Sequence, residues 1–256
     1  MPRRYAEQGP SGAYTCYMGT GPTKKQVKPD IVPTFVDALS SDRFHTYQQW
    51  AQGDDVLARR LYTFNVQLSA ALYGPLHMFE VALRNVTDRK MVADHGPDWL
   101  DDQALMTPYG IGQVQKARDT LNRQRKAGTH AQLVAELNLG FWIGLYSRQS
   151  QHLWHGLRPV FQARGIQRPA LHGQLDALRS LRNRIAHYEP IIHLPLAQLY
   201  GNLTSITGWL SPSAAAWTQA TSTWAAIYPG VPILVPVPGS KALQLDAQAI
   251  PTLPTI

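Results

Sequence analysis

Residues 181–191 read LRNRIAHYEPI, and this stretch closes a clear helical pattern. Apolar residues recur there and upstream at steps of four, three, three and four: Leu171, Leu175, Leu178, Leu181 and Ile185. This spacing predicts a helix with its apolar face in the hydrophobic core. Pro190 is predicted to end the helix close behind His187, because proline disfavours helical geometry in the residue before it.

A second face of the same predicted helix is polar. Its members are separated by steps of four, three and four: Asp176, Ser180, Asn183 and His187. Arg182 lies five residues before His187, which is roughly 140° around a helix that turns about 100° per residue. The two side chains are therefore not stacked. Either Arg182 leans across the helix, or both residues serve a site that another chain completes.

Two further stretches precede this one in the chain. They read FEVALRN at residues 79–85 and FWIGLYS at residues 141–147, and HYEPI follows at residues 187–191. In this order the three stretches resemble the Abi-like (abortive infection) branch of the HEPN superfamily, whose signature is Arg-x4-His. The likeness spans about residues 44–217. It implies an all-α, HEPN-like helical bundle with extra helices.

Most HEPN proteins cut RNA in defence and toxin systems, and the resemblance implies the same activity here. The chain is expected to be a metal-independent endoribonuclease of single-stranded RNA, acting as a toxin or abortive-infection effector against phage. In the family, the motif helices of two domains meet across a dimer. Because this chain carries one copy of the motif, a homodimer is expected, with Arg182 and His187 of both copies facing one cleft.

The residue types of the motif suit RNA cleavage without a metal. The 2′-hydroxyl of RNA can attack the adjacent phosphate if a base takes its proton and an acid protonates the departing 5′-oxygen. His187 could do either, since an imidazole exchanges protons near neutral pH. Arg182 would hold the scissile phosphate and stabilise its added negative charge. Asn183 would orient the imidazole or bind a phosphate oxygen.

Four more residues are candidates for RNA binding or for supporting the cleft. On the earlier predicted helix, Glu80, Arg84 and Asn85 either position the cleft or include an ordinary Glu80–Arg84 ion pair at i,i+4 spacing. Tyr188 directly follows the histidine. A related HEPN group carries its tyrosine one place later, as His-x-Tyr, and is paired with nucleotidyltransferase antitoxins. This departure argues against such a partner here.

The charge balance favours an anionic partner. The sequence has 24 Lys and Arg against 17 Asp and Glu, a net charge of +7, which suits RNA better than a cationic molecule. One dense basic cluster is expected to follow the RNA backbone, although a solvated helix face is the ordinary alternative. Its members are Arg118, Arg123, Arg125 and Lys126.

Other chemistries find little support in the sequence. Cys16 is the only cysteine, which excludes an intrachain disulfide and multi-cysteine metal motifs and suits a reducing cytoplasm. His152 and His155 form an HxxH pair without the glutamate of an HExxH metal site. The chain has no glycine-rich phosphate loop and no GxSxG motif. No metal or cofactor is therefore expected.

Composition divides the chain into three parts. Residues 1–30 are expected to form a flexible arm, residues 31–228 one helical domain, and the proline-rich residues 229–256 a tail that packs in extended form or not at all. Residues 190–240 contain no Asp, Glu, Lys or Arg. Prolines and polar residues interrupt this stretch before the roughly 18 to 20 apolar residues of a membrane helix. Buried helices are therefore expected there, and the amino terminus does not resemble a secretory signal.

Several helix limits follow from caps and breakers. Residues 40–42 supply a cap, and a buried stripe comprises Leu57, Leu61, Phe64 and Leu68. A long helix through Met91 is predicted to be kinked or restarted at residues 74–75 and ended at residues 96–97. Further helices are predicted at 111–126 and 141–146, with a break at 165–169. The aromatic residues Phe141, Trp142 and Tyr146 are expected to lie in the core.

Three functional classes remain after these exclusions. The leading one is the endoribonuclease. Some Abi-like proteins are encoded beside a small structured RNA, so the resemblance implies an inhibitory RNA of this kind as a second partner of the enzyme. The second class is a non-catalytic RNA-binding module, with such a small structured RNA as a candidate ligand. The third is a structural helical dimerisation protein. The intact Arg182 and His187 argue against the second class, and the net charge argues against the third.

Overall fold

A computed structural model describes residues 35–230 and Ile250. Every regular element in these residues is a helix and none is a strand, so the predicted all-α fold class is confirmed. The expected arm at residues 1–30 and most of the expected tail lie outside the described residues. The helices are α1 (Phe35–Leu39), α2 (Ser41–Trp50), α3 (Asp55–His95), α4 (Pro108–Arg123), α5 (His130–Glu136), α6 (Leu139–Gly144), α7 (Trp154–Leu157), α8 (Arg168–Ala186), α9 (Leu196–Leu210), α10 (Pro212–Thr221) and α11 (Trp224–Ile227).

Helix α3 is the central element, 41 residues long, and α2, α8 and α9 pack against it. It begins where the Asp54 carboxylate accepts the backbone N–H of Leu57 at 3.0 Å. It ends at Gly96, whose φ of +91° suits glycine. The predicted end of the helix at residues 96–97 is therefore confirmed.

Of the two predicted alternatives at residues 74–75, a kink or a restart, the restart is wrong, because α3 continues through Pro75 as one helix. A proline inside a helix costs about 3 kcal/mol, since one hydrogen bond is lost and the ring crowds the preceding turn. Burial offsets this cost: Leu72, Leu76 and Phe79 on either side are 4% exposed or less, and each buried side chain of this size contributes about 1.5–3 kcal/mol. Local sequence rules do not include this tertiary packing.

The predicted helix at 111–126 lies three residues earlier, at Pro108–Arg123. The hydroxyl of Thr107 accepts the backbone N–H of Gly110 at 3.2 Å, and Pro108 occupies the first turn. Both are favourable at a helix start. Helix α2 does begin right after Ser40, as predicted, but the Ser40 side chain makes no capping hydrogen bond.

Helix α8 has the predicted apolar face. Four of its five stripe residues, Leu171, Leu175, Leu178 and Leu181, are at most 1% exposed. Ile185, the fifth, is half-buried at the edge of an open groove. Pro169 belongs to the first turn of α8 and not to the break before it, because the first helical positions have no N–H partner to lose.

The aromatic residues of the FWIGLYS stretch are in the core, as predicted. Phe141, Trp142 and Tyr146 are at most 2% exposed. The Tyr146 hydroxyl is hydrogen-bonded to Thr87 at 2.6 Å, and burial raises the pKa of Tyr146. The stretch therefore holds α3 and the region after α6 together.

The uncharged carboxyl-terminal stretch also contributes to the core. Helix α9 buries Leu203 and Ile206 completely. Ile250 is 2% exposed, and its carbonyl accepts a hydrogen bond from Arg60 at 2.8 Å, so at this residue the proline-rich segment is packed.

Among the described residues, no helix combines the length and apolarity needed to cross a bilayer.

Candidate functional site

The motif helix ends in a tight turn with an unusual residue. The backbone N–H of Glu189 donates to the carbonyl of Arg184 at 2.8 Å, and that of Tyr188 donates to Ile185 at 3.1 Å. This is a Schellman turn, which glycine normally closes. Here Tyr188 occupies that position with a φ of +58°, a left-handed conformation that costs about 1–2 kcal/mol for a residue with a Cβ atom.

A buried amide on α3 holds this turn in place. The side-chain oxygen of Asn65 accepts the backbone N–H of Ile191 at 2.7 Å, and its side-chain nitrogen lies 3.4 Å from the carbonyl of Glu189. Asn65 is 4% exposed and lies beside the buried stripe residue Phe64. Sequence reasoning missed it, although an amide next to a buried stripe was an available signal. Asn65 thus fixes the position of the chain just after His187.

We expect Asn65→Ala to lower the free energy of unfolding by about 1–3 kcal/mol, because the fully buried N–H of Ile191 loses its acceptor. Urea denaturation would measure the change. The exposed Asn122 on α4 provides the control, and Asn122→Ala should change stability by less than about 0.5 kcal/mol. An Asn65→Ala protein as stable as the wild type would show that the turn does not depend on this amide.

An open groove of about 660 Å³ lies between α3 and the end of α8. Most of its wall is apolar, with polar and aromatic groups along it. These include Tyr73, His77, Glu80, Arg84, Arg182 and Tyr188. The groove therefore brings together the predicted motif arginine and two of the three candidates from residues 79–85.

Arg182 is held in this groove by a two-point ion pair. Its Nε lies 3.1 Å from one carboxylate oxygen of Glu80, and its Nη2 lies 3.4 Å from the other. The side chains are 40% and 24% exposed. Of the two roles left open for Glu80, contact with the motif arginine is the one observed. Arg84 instead donates from its Nε to the side-chain oxygen of Asn85 at 3.2 Å.

His187 lies in a second, smaller cavity of about 370 Å³ beside the start of α2. Arg43 lines the same cavity, and its guanidinium carbon lies 5.9 Å above the ring of Tyr188. Tyr188 lines both cavities. Within one chain, Arg182 and His187 therefore occupy neighbouring cavities on either side of Tyr188 and do not share one.

The side chains of His187 and Asn183 are both accessible. His187 is exposed and Asn183 is half-buried, and neither side chain hydrogen-bonds to any residue in the described part of the chain. The predicted orientation of the imidazole by Asn183 is not present in the single chain. The contact between the two residues runs through the backbone, where the His187 N–H donates to the Asn183 carbonyl at 2.9 Å.

The basic cluster near the end of α4 lines neither cavity. Arg118 forms an ion pair with Asp101 at 2.6 Å, and Arg123 donates to the Thr120 hydroxyl at 3.1 Å. Arg125 and Lys126 are exposed beyond the helix end. The cluster is therefore separate from the motif residues, and its contact with RNA stays a prediction.

The described residues contain no group of three or more His, Cys, Asp or Glu side chains placed to hold a metal ion.

Comparison with known proteins does not identify a family for this chain. No protein-family model, no curated protein and no solved structure matches the chain. The HEPN resemblance therefore stays a prediction that rests on the sequence motifs.

Proposed function

We propose that the protein is a metal-independent endoribonuclease of the HEPN type, acting on single-stranded RNA as a toxin or abortive-infection effector in the cytoplasm. One observation carries the proposal. The Arg-x4-His pair stands at the end of α8, with Arg182 held by Glu80 and His187 exposed in the neighbouring cavity. An exposed histidine and an anchored arginine are the groups that supply the proton transfer and the positive charge that the reaction needs.

The proposed reaction uses the RNA as its own nucleophile. The 2′-hydroxyl loses its proton to a base and attacks the adjacent phosphorus, and the bond from phosphorus to the 5′-oxygen breaks. That oxygen leaves after receiving a proton from an acid. The products are a 2′,3′-cyclic phosphate and a 5′-hydroxyl. His187 serves as one of the two proton-transfer groups, a role that typically contributes about 100- to 10,000-fold in rate.

Arg182 is proposed to bind the phosphate while keeping its contact with Glu80. Guanidinium has five N–H donors, and the ion pair with Glu80 uses those at Nε and Nη2. The remaining donors can reach a phosphate oxygen. The carboxylate of Glu80 limits the positions that the long arginine side chain can take, which suits a group that must meet the transition state in one geometry.

A second copy of the chain is proposed to complete the site. Cleavage needs an acid and a base, and one chain offers a single His187 in a cavity that Arg182 does not line. Two α8 ends facing each other would bring both arginines and both histidines to one cleft. The exposure of His187 and Tyr188 leaves this surface accessible to such an approach.

The proposal is tested by incubating the purified protein with a labelled single-stranded RNA and with the same RNA in a duplex, each with and without EDTA. We expect cleavage of the single strand alone, since in-line attack needs a backbone that can rotate. Loss of cleavage on chelation would contradict the metal-independent mechanism.

A non-catalytic RNA-binding module is the second candidate. The observation that favours it is the separation of Arg182 and His187 into two cavities within one chain. Such a module would bind single-stranded RNA or a small structured RNA without cutting it. Stable binding in the same assay, with no products after prolonged incubation at high protein concentration, would favour this candidate over the nuclease.

A further inference from the structure

The backbone of Tyr188 is strained, and burial of its side chain does not offset the energy of that strain. The φ of +58° belongs to the left-handed region, where glycine would fit without a steric penalty. The ring is 73% exposed, so little of its apolar surface is removed from water. Strained residues that packing does not explain are concentrated at functional sites.

The surroundings of the ring are suited to a nucleotide. The two cavities that Tyr188 lines measure about 660 Å³ and 370 Å³, within the range of about 300–1000 Å³ typical of small-ligand sites. Arg43 lies over the ring in one cavity, and Arg84 and Arg182 line the other. Arginine side chains therefore line both of the cavities that the exposed Tyr188 borders.

Carboxylates offset part of that charge and leave Arg84 without an acidic partner among the described residues. Glu80 is paired with Arg182, and Glu189 lies 3.5 Å from Arg184. Asp42 also lines the smaller cavity, together with Arg43 and His187. The unpaired Arg84, the guanidinium of Arg43 over the ring and the exposed tyrosine favour an anionic chain with planar groups over the apolar surface of a protein partner.

We propose that Tyr188 stacks against a nucleobase of single-stranded RNA that crosses from one cavity to the other. The phosphate on one side of that base meets Arg43, and the phosphate on the other side meets Arg84 and Arg182. The left-handed turn presents the ring outward between the cavities, where a base can reach it. This inference rests on the proposed function, and it assigns the RNA path to this surface instead of the α4 cluster.

The test measures binding separately from cleavage. The probe is a fluorescein-labelled dodecamer of 2′-O-methyl uridine in EDTA, which cannot be cut because its 2′-oxygens are blocked. Fluorescence anisotropy gives the affinity of each variant. Tyr188→Gly should weaken binding by about tenfold or more, as expected for the loss of one base–aromatic stack. Tyr188→Phe keeps the ring and should bind within about twofold of the wild type.

Thermal unfolding separates this role from a structural one. Because glycine relieves the backbone strain, Tyr188→Gly should unfold at the same temperature as the wild type or a few degrees above it. Trp217 is 46% exposed on α10 and lines neither cavity. Trp217→Ala is therefore the matched control, and it should leave the affinity unchanged.

Several results would overturn the inference. One is unchanged affinity of Tyr188→Gly, and another is a failure of the wild type to bind the probe. A clear drop in the unfolding temperature of Tyr188→Gly would show that the tyrosine has a structural role. A shift in sedimentation at unchanged affinity would assign the ring to an interface between copies. A further combination of results separates the two proposals. If the wild type binds the probe but does not cut RNA, and Tyr188→Gly loses binding, the stacking role of Tyr188 is retained and the nuclease is rejected.

Discussion

His187→Ala is expected to reduce the rate of RNA cleavage by at least about 100-fold while the protein stays folded. The imidazole is the proposed proton-transfer group, and its loss leaves only water for that step. Stability should hardly change, because the His187 side chain is exposed and makes no hydrogen bond to the described residues. Single-turnover cleavage and thermal unfolding of the same preparation would measure both quantities.

His152→Ala is the matched control for this experiment. His152 is also exposed and lines neither cavity, so its loss should leave the cleavage rate within about twofold of the wild type, as for an ordinary surface change. A His187→Ala protein with wild-type activity would remove His187 from the mechanism. Equal losses in both variants would indicate a general effect of removing surface histidines.

Arg182→Ala is expected to lower the cleavage rate by about 100- to 1000-fold, which is the usual effect of removing one donor that stabilises transition-state charge. The variant also leaves the Glu80 carboxylate without its partner in the groove, so the local field becomes less favourable for phosphate. The rate constant under saturating RNA is the informative measurement, because it separates the chemical step from binding.

Arg179 provides the control, because it lies on the same helix, is 40% exposed and is paired with Asp176 at 2.6 Å. Arg179→Ala removes an equivalent surface ion pair and should preserve cleavage. If the two arginine variants lose activity equally, the effect of Arg182→Ala reflects the stability of α8.

Mixing Arg182→Ala with His187→Ala should restore part of the activity, if mixed dimers share one cleft. An active monomer in sedimentation would contradict that arrangement.

The helical fold could be predicted from local patterns where the apolar spacing was regular. The leucines of α8 were assigned to the core by their spacing alone, and they are buried. The choice between a kink and a restart at residues 74–75 could not be made in this way. It depends on the burial of residues around the proline, and that burial is set by helices from distant parts of the chain.

The site was predicted only where a motif marked it. Glu80 had two arginines within possible reach, and only the fold brings Arg182, which is 102 residues away, closer than the local Arg84. The bond from Asn65 to Ile191 spans 126 residues. Arg43 reaches the ring of Tyr188 because α2 lies beside the turn. No local pattern carries this information.

The chemical ends of the products show whether the RNA's own 2′-hydroxyl is the nucleophile. The measurement is mass spectrometry of both fragments after cleavage of a defined single-stranded RNA by the wild type in EDTA. We expect a 2′,3′-cyclic phosphate, or its opened form, on one fragment and a 5′-hydroxyl on the other. A 5′-phosphate with a 3′-hydroxyl would contradict this mechanism, since those ends require an external nucleophile.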